Sequence, residues 1–312
     1  MNRITGITDE AGKSIDTQIR VAKELGWSHI EVRGVALPDG SGGSSGGMIH
    51  DISDEEFEIV AQKLSDADVK VACFGSAIAN WGKSVAEPFD SSLGEARRCI
   101  PRMKALGTKY VRIMSFNLLK DAAGVVLPVS EQLLDERVRR LRVLTDMFGE
   151  AGLQVVHENC MNYGGMGWTM TMELVEGVPG LKLLYDTGNP IFTPDYTQPA
   201  PPESPEPRPM QNALDFFRHV RKHVEYVHIK DGVWDAEAQK PTYCWPGEGD
   251  GYVSEILEQL HSDAYEGFIS IEPHMAAIFH EPNQPPAEAQ FETFVEYGRR
   301  MAELVKKSES QD

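Results

Sequence analysis

Apolar and polar positions along this 312-residue chain alternate in blocks of two kinds. Short strand-like runs occur at Ile4 to Asp9, His29 to Val35, Val69 to Ser76, Tyr110 to Phe116, Gln154 to Asn159, Leu181 to Asn189, Val224 to Gly232 and Gly267 to His274. Several are nearly continuous in apolar residues (VKVACF, LKLL, GFISI), as a parallel strand buried on both faces requires. Between them lie stretches with apolar residues three and four apart, the amphipathic-helix pattern: Thr17 to Leu25, Asp54 to Leu64, Leu93 to Leu106, Leu133 to Phe148, Leu214 to Lys222, Ser254 to Leu260 and finally Phe291 to Val305. The strands end near Asp9, Arg33, Ser76, Ser115, Glu158, Asp186, His228 and Glu272, about 38 residues apart on average, room for a strand, a helix and two loops. The pattern predicts an α/β fold, a single (β/α)₈ TIM barrel spanning residues 1–312. A doubly wound open sheet would want a glycine-rich phosphate turn after the first strand, and ITDEAGKS lacks it.

Two loop insertions stand out, LPDGSGGSSGG at 37–47 and TPDYTQPAPPESPEPRP at 193–209. Both follow strand C-termini, the face on which barrels carry their chemistry. The Gly/Ser loop reads as a flexible surface insertion and the stiffer Pro-rich one as a pocket wall.

Charge then narrows the function classes. Thirty Lys and Arg against 48 Asp and Glu give a net charge of −18, which repels a phosphate backbone, and no basic cluster offsets it, so nucleic acid is a poor partner and none is expected. No apolar run reaches the roughly 18 residues of a membrane span. A strand-like run already begins at Ile4, leaving no room for a secretory leader. Cys73, Cys99, Cys160 and Cys244 are scattered, as free thiols are, and the expected compartment is the cytoplasm.

The candidate chemistry lies in four consecutive strands. VVHEN ends on Glu158, LLYDTGN on Asp186, YVHIKD on His228 and ISIEPH on Glu272. Adjacent strands bring such residues together at one mouth. Three carboxylates and one imidazole suit a divalent ion, with Mn²⁺, Mg²⁺ or Co²⁺ ahead of Zn²⁺. Packed acids with few recognisable cations beside them would repel one another unless a metal neutralised them. If Glu272 faces inward, the two-residue period also turns Phe268, Ser270 and His274 inward, and Ile269 and Ile271 toward the helices.

Taken together, HEN, YDTGNP, HIKDG, PGEGDG and GFISIEPH resemble the sugar phosphate isomerase/epimerase group of the xylose isomerase-like TIM barrels. TDEAG after the first strand and EVRGV in the second support the likeness. The resemblance implies one divalent metal, Mn²⁺ foremost, held by Glu158, Asp186, His228 and Glu272. It also implies that Glu158 and Glu272 act as the acid/base pair. The implied reaction is proton abstraction α to a carbonyl of a keto sugar, ketose or inosose through a metal-stabilised enediolate, giving an epimer or an aldose–ketose isomer. Ketose 3-epimerases of this kind carry a His three residues after the metal Asp and an Arg six after the metal His; here those positions are Asn189 and Trp234, so the sugar contacts differ. Homo-oligomers are common in the group.

Further substrate-binding candidates are Arg33, Asn189, Lys230, His274, Trp245 and Glu248, the last two in CWPGEGDG, where an aromatic plate and a carboxylate suit a sugar ring. Trp81 and Trp168 also follow strands, and His157 should point away from the barrel axis because its neighbour Glu158 points in. Three rival readings remain. A nuclease of the same superfamily would need more histidine ligands, yet His219, His223 and His261 fall on or after outer helices. A lyase eliminating from a 3-keto glycoside shares the first proton abstraction, and a non-catalytic sugar-binding or partner subunit needs no flanking glutamates. No phosphate cradle is evident, which favours a neutral carbohydrate.

Overall fold

The computed structural model describes residues 3–38, 46–198, 208–276 and 285–310, so parts of both loop insertions, 39–45 and 199–207, lie outside the described residues. Eight strands form one parallel sheet: β1 (Arg3–Gly6), β2 (His29–Val32), β3 (Lys70–Phe74), β4 (Tyr110–Ile113), β5 (Gln154–Glu158), β6 (Lys182–Asp186), β7 (Val224–Ile229) and β8 (Phe268–Ile271). Neighbours in sequence are neighbours in space from β2 round to β8, and β8 pairs with β1. A single parallel bridge, Ile7 to Glu31, and the Thr5 hydroxyl on the His29 carbonyl at 2.8 Å join β1 to β2 and close the barrel.

Eight helices cover it: α1 (Ile15–Leu25), α2 (Asp54–Asp66), α3 (Asp90–Leu106), α4 (Leu134–Glu150), α5 (Trp168–Gly177), α6 (Ala213–Val220), α7 (Val253–Ser262) and α8 (Ala287–Glu309). α2 starts where Ser53 and Glu56 exchange side-chain and backbone hydrogen bonds in a capping box. α5 has no counterpart among the amphipathic stretches read from the sequence, because WTMTMELV is apolar nearly all round and shows little helical period. The strands end earlier than the apolar runs suggested. Asp9 sits in a 3₁₀ turn (Thr8–Glu10), and Asn189 opens another (Asn189–Phe192).

The two-residue period sorts the side chains as expected. Phe268, Tyr226, Leu184, Val156 and Ala72 form an inner cluster, whereas Ile269 and Ile271 pack outward with residues of α7 and α8. His157 likewise faces the helix layer, buried against Gly164. None of the described helices is long and apolar enough to cross a membrane.

One loop is organised by a single carboxylate. Buried Asp231, just beyond β7, accepts the backbone N–H groups of Gly232, Gly247, Gly249 and Gly251 at 2.8–3.1 Å. A β-carbon at Gly249 or Gly251 would lie within 2.5 or 2.8 Å of the same carboxylate oxygen, so PGEGDG is glycine-rich because backbone must approach a side chain closely. The short antiparallel ribbon Gly232–Asp235 with Lys240–Tyr243 projects from this knot over the barrel mouth.

Two outcomes follow for stability. Asp231→Ala leaves four donors without their acceptor and is expected to cost about 2–4 kcal/mol, read as a lower urea midpoint; an unchanged midpoint would contradict the knot. Burial pushes His157 down to about 4. Its neutral form is favoured in the fold, so its contribution is complete above the unfolded value of 6.5 and is lost as pH falls from there toward 4, on the order of 3 kcal/mol. Denaturant midpoints measured from pH 7 to pH 4 should fall more steeply for the native chain than for His157→Gln.

Candidate functional site

The four residues expected at the strand ends do converge. One ligand-capable atom each from Glu158, Asp186, His228 and Glu272 lies within 4.8 Å of the others, and all four side chains are buried. Glu158 and Asp186 close β5 and β6, His228 is the penultimate residue of β7, and Glu272 follows β8. The glutamates therefore come from the outer two of four adjacent strands, with Asp186 and His228 between them.

Each side chain is fixed from behind. Asp186 Oδ1 accepts the backbone N–H groups of Gly188 and Asn189 at 2.8 and 2.7 Å, which leaves Oδ2 facing the centre. His228 donates Nε2–H to Glu31 Oε2 at 2.9 Å, and Ser270 donates to the same oxygen at 2.8 Å. The other ring nitrogen, Nδ1, has no hydrogen-bond partner and stands 3.9, 4.0 and 3.8 Å from oxygens of Glu158, Asp186 and Glu272. A buried nitrogen aimed at three carboxylates, with its opposite edge held by a fourth, is the arrangement in which histidine serves as a metal ligand. The donor set of three oxygens and one nitrogen fits a hard divalent cation.

The sequence suggested few cations here, and the structure corrects this. Arg112 reaches Glu158 at 3.2 Å, Arg33 reaches Glu272 at 3.1 Å, and Lys230 Nζ bridges Glu272 and Asp186 at 2.7 and 3.1 Å. All three are buried. They face more acids than they can balance, because Asp9, Glu10 and Glu31 are buried beside the metal-capable carboxylates: six acids against three permanent cations among the described residues. Of the residues gathered here, Glu158, Asp186, His228 and Glu272 could hold a metal ion.

The titration shifts follow from this crowding. Burial, with Glu272 and Glu158 reinforcing it against Lys230, pushes Asp186 up to about 6. Burial opposes the imidazolium of His228, but the charge and hydrogen bond of Glu31, backed by Glu272 and Glu158, push it up to about 9. Glu272 is held well below the usual carboxylate range: burial works against its charge, and Lys230, His274, His228 and Arg33 outweigh it.

Around this centre lies a pocket of about 420 Å³. Arg33, Asn189, Lys230 and His274 all line it, as do Trp81 and Trp234. Asn189 donates Nδ2–H to Glu158 Oε1 at 3.2 Å. His274 sits in the left-handed backbone region (φ 52°), tied through its backbone N–H and its ring Nδ1 to the two oxygens of Glu10 at 2.9 and 2.8 Å. Of the Pro-rich insertion, Thr193 reaches the pocket.

Trp245 and Glu248 are not brought to this site. The Asp231 knot turns their segment toward α8, where Trp245 packs on Tyr297 and under Arg300 (4.3 Å to the ring centre) and half-exposed Glu248 pairs with Arg300 at 3.1 Å. Trp168 is also elsewhere, stacked on His219 at 3.9 Å in the helix layer. Conversely, Glu31 and Arg112 join the site without belonging to any of the strand-end motifs. Each is a charged residue inside an otherwise apolar strand (HIEV, YVRI), and that irregularity was the available signal.

Residues 19–300 match the family model of the xylose isomerase-like TIM barrels, and the chain belongs to that family. No curated protein matches it in sequence. Among solved structures, the chain is similar to the IOLI protein with a bound zinc atom (TM-score 0.70, 15% identity, 99% of this chain and 100% of that one). It is similar to a xylose isomerase-like TIM barrel protein from Mycobacterium smegmatis in complex with magnesium (0.66, 15%, 99% and 97%). A third likeness is to a 3-keto-D-glucoside 4-epimerase from E. coli (0.60, 15%, 95% and 99%). At such identities the shared property is the fold.

For the metal-capable set, added Mn²⁺ should raise the melting temperature of chelator-stripped protein, and Asp186→Ala should abolish the rise. Glu31→Gln is expected to weaken the ion 10- to 100-fold while leaving all four donors in place. Calorimetric titration reads this directly, and an affinity untouched by Glu31→Gln would remove its orienting role.

Proposed function

We propose that the protein is a divalent-metal-dependent sugar isomerase or epimerase acting on a neutral keto sugar, ketose or inosose, with Mn²⁺ the expected ion. The observation that carries this reading is the position of Glu158 and Glu272 on either side of Asp186 and His228, at the floor of a pocket sized for a small molecule. A divalent ion held by Glu158, Asp186, His228 and Glu272 would supply Lewis-acid polarisation of a ketone oxygen, acidifying the hydrogen on the adjacent carbon.

The chain's own groups would do the rest. One glutamate takes the proton and the other, across the reacting carbon, returns one. Arg112 and Asn189 hold the Glu158 carboxylate, and Lys230 and Arg33 hold that of Glu272, so both oxygen pairs are positioned before substrate arrives. The Lys230 ammonium, already placed between Asp186 and Glu272, can also hydrogen-bond an oxyanion forming on the substrate. Return of the proton to the same carbon from the opposite face gives an epimer; return to the neighbouring carbon gives an isomer. Asn189, Trp234 and His274 supply the sugar contacts from the pocket wall. The E. coli 3-keto-D-glucoside 4-epimerase, to which the chain is similar, is of the same reaction class.

The test is solvent deuterium incorporation, followed by NMR, into ketoses, inososes and 3-keto glycosides offered to Mn²⁺-loaded protein. Exchange should require metal and fall at least 10²-fold in both Glu158→Gln and Glu272→Gln. Exchange accompanied by release of an aglycone would make the enzyme a lyase. Metal binding without exchange on any substrate would favour a binding or partner subunit.

A further inference from the structure

Beside the metal-capable pocket lies a second cavity of about 630 Å³. The two share Trp81, Met161, Phe192 and Thr193, so they are continuous at the barrel mouth. Their chemistry differs. The first is floored by carboxylates, Arg33, Arg112 and Lys230, whereas Leu118, Leu119, Val126, Pro194 and Tyr196 wall the second, and Lys120 is the one charged residue along its described lining.

At the junction of the two cavities, Trp81 is 43% exposed and Met161 55% exposed, large apolar side chains open to solvent. The wall beside them is built rigidly. Gln132, fully buried, holds Leu119 by both backbone groups (2.8 and 3.0 Å) and takes a third contact at the Leu127 carbonyl, 2.9 Å. Arg137, also fully buried, donates to the carbonyls of Ser115, Asn117 and Gln132. Two buried polar side chains committed to one surface loop preorganise that loop. Asn117, on the same loop, lines the cavity beside them.

We propose that this groove is a subsite for an apolar, ring-bearing group attached to the sugar, so that the substrate is a keto glycoside with an aromatic aglycone. The inference rests on the reading of the first pocket as a keto-sugar site. The sugar ring lies over Glu158 and Glu272, the glycosidic oxygen passes between Trp81 and Phe192, and the aglycone stacks along Leu119 and Tyr196. A free ketose ends in its own hydroxyls and leaves the groove unfilled. A phosphorylated or nucleotide-linked group would meet one lysine on a chain of net charge −18.

The test uses unreactive probes on the Mn²⁺-loaded full chain: phenyl β-D-glucoside and methyl β-D-glucoside, titrated by calorimetry. The phenyl glycoside is expected to bind about tenfold tighter or more, and Leu119→Asp and Tyr196→Ser should each bring the ratio close to one while circular dichroism and metal affinity stay unchanged. Two variants in different loops guard against a folding defect in either. Equal affinities in the native chain, no binding of either probe, or a ratio that survives both substitutions would overturn the subsite. The outcome separates cleanly from the deuterium test. Exchange without an aromatic preference leaves the isomerase reading standing and removes the groove's role; an aromatic preference without exchange does the reverse.

Discussion

Everything at the mouth of this barrel answers to one constraint, the mutual repulsion of buried carboxylates. Asp9, Glu10, Glu31, Glu158, Asp186 and Glu272 are each almost fully removed from solvent. In water their charges would be screened and solvated; inside the barrel each must find a cation, a donor or a proton. Arg33, Arg112 and Lys230 meet part of this demand, while burial, reinforced by Glu272 and Glu158 against Lys230, pushes Asp186 up to about 6. The four side chains that face this centre, Glu158, Asp186, His228 and Glu272, could hold a metal ion there.

That demand explains how the surrounding groups are arranged. Lys230 joins two acids that would otherwise oppose each other, and Arg33 ties Glu272 to the turn carrying Asp9 and Glu10. The same Arg33–Asp9 contact links the ends of β1 and β2, where the barrel wall is joined by only one backbone bridge. Polar pairing at the site and closure of the fold are thus partly the same interactions. Breaking one partner leaves a buried charge alone, which costs more than the pair itself contributes.

The loops divide the labour around this fixed floor. The Asp231 knot stiffens the connection after β7 and aims its ribbon, with Trp234 and Tyr243, over the pocket. On the opposite side the Gln132 and Arg137 network stiffens the loop after β4 and presents an apolar wall. A charged floor thus lies between one aromatic wall and one aliphatic groove.

The sequence by itself determined the barrel and the four converging residues. Buried parallel strands demand apolar runs, helices on their outer faces demand a three-to-four period, and a Glu, Asp or His ending such a strand has nowhere to point but the mouth or the helix layer. The two-residue period even placed Ile269 and Ile271 outside and Ser270 inside. What only the tertiary structure decided were the partners. Glu31 and Arg112 become part of the site because β2 and β4 turn them toward His228 and Glu158, a matter of register across the barrel that local sequence does not encode. Trp245 and Glu248 leave it because one buried aspartate gathers the backbone N–H groups of Gly247, Gly249 and Gly251 and turns their segment onto α8. Local sequence sets period and propensity, whereas long-range pairing of charges and donors exists only once the chain has closed on itself.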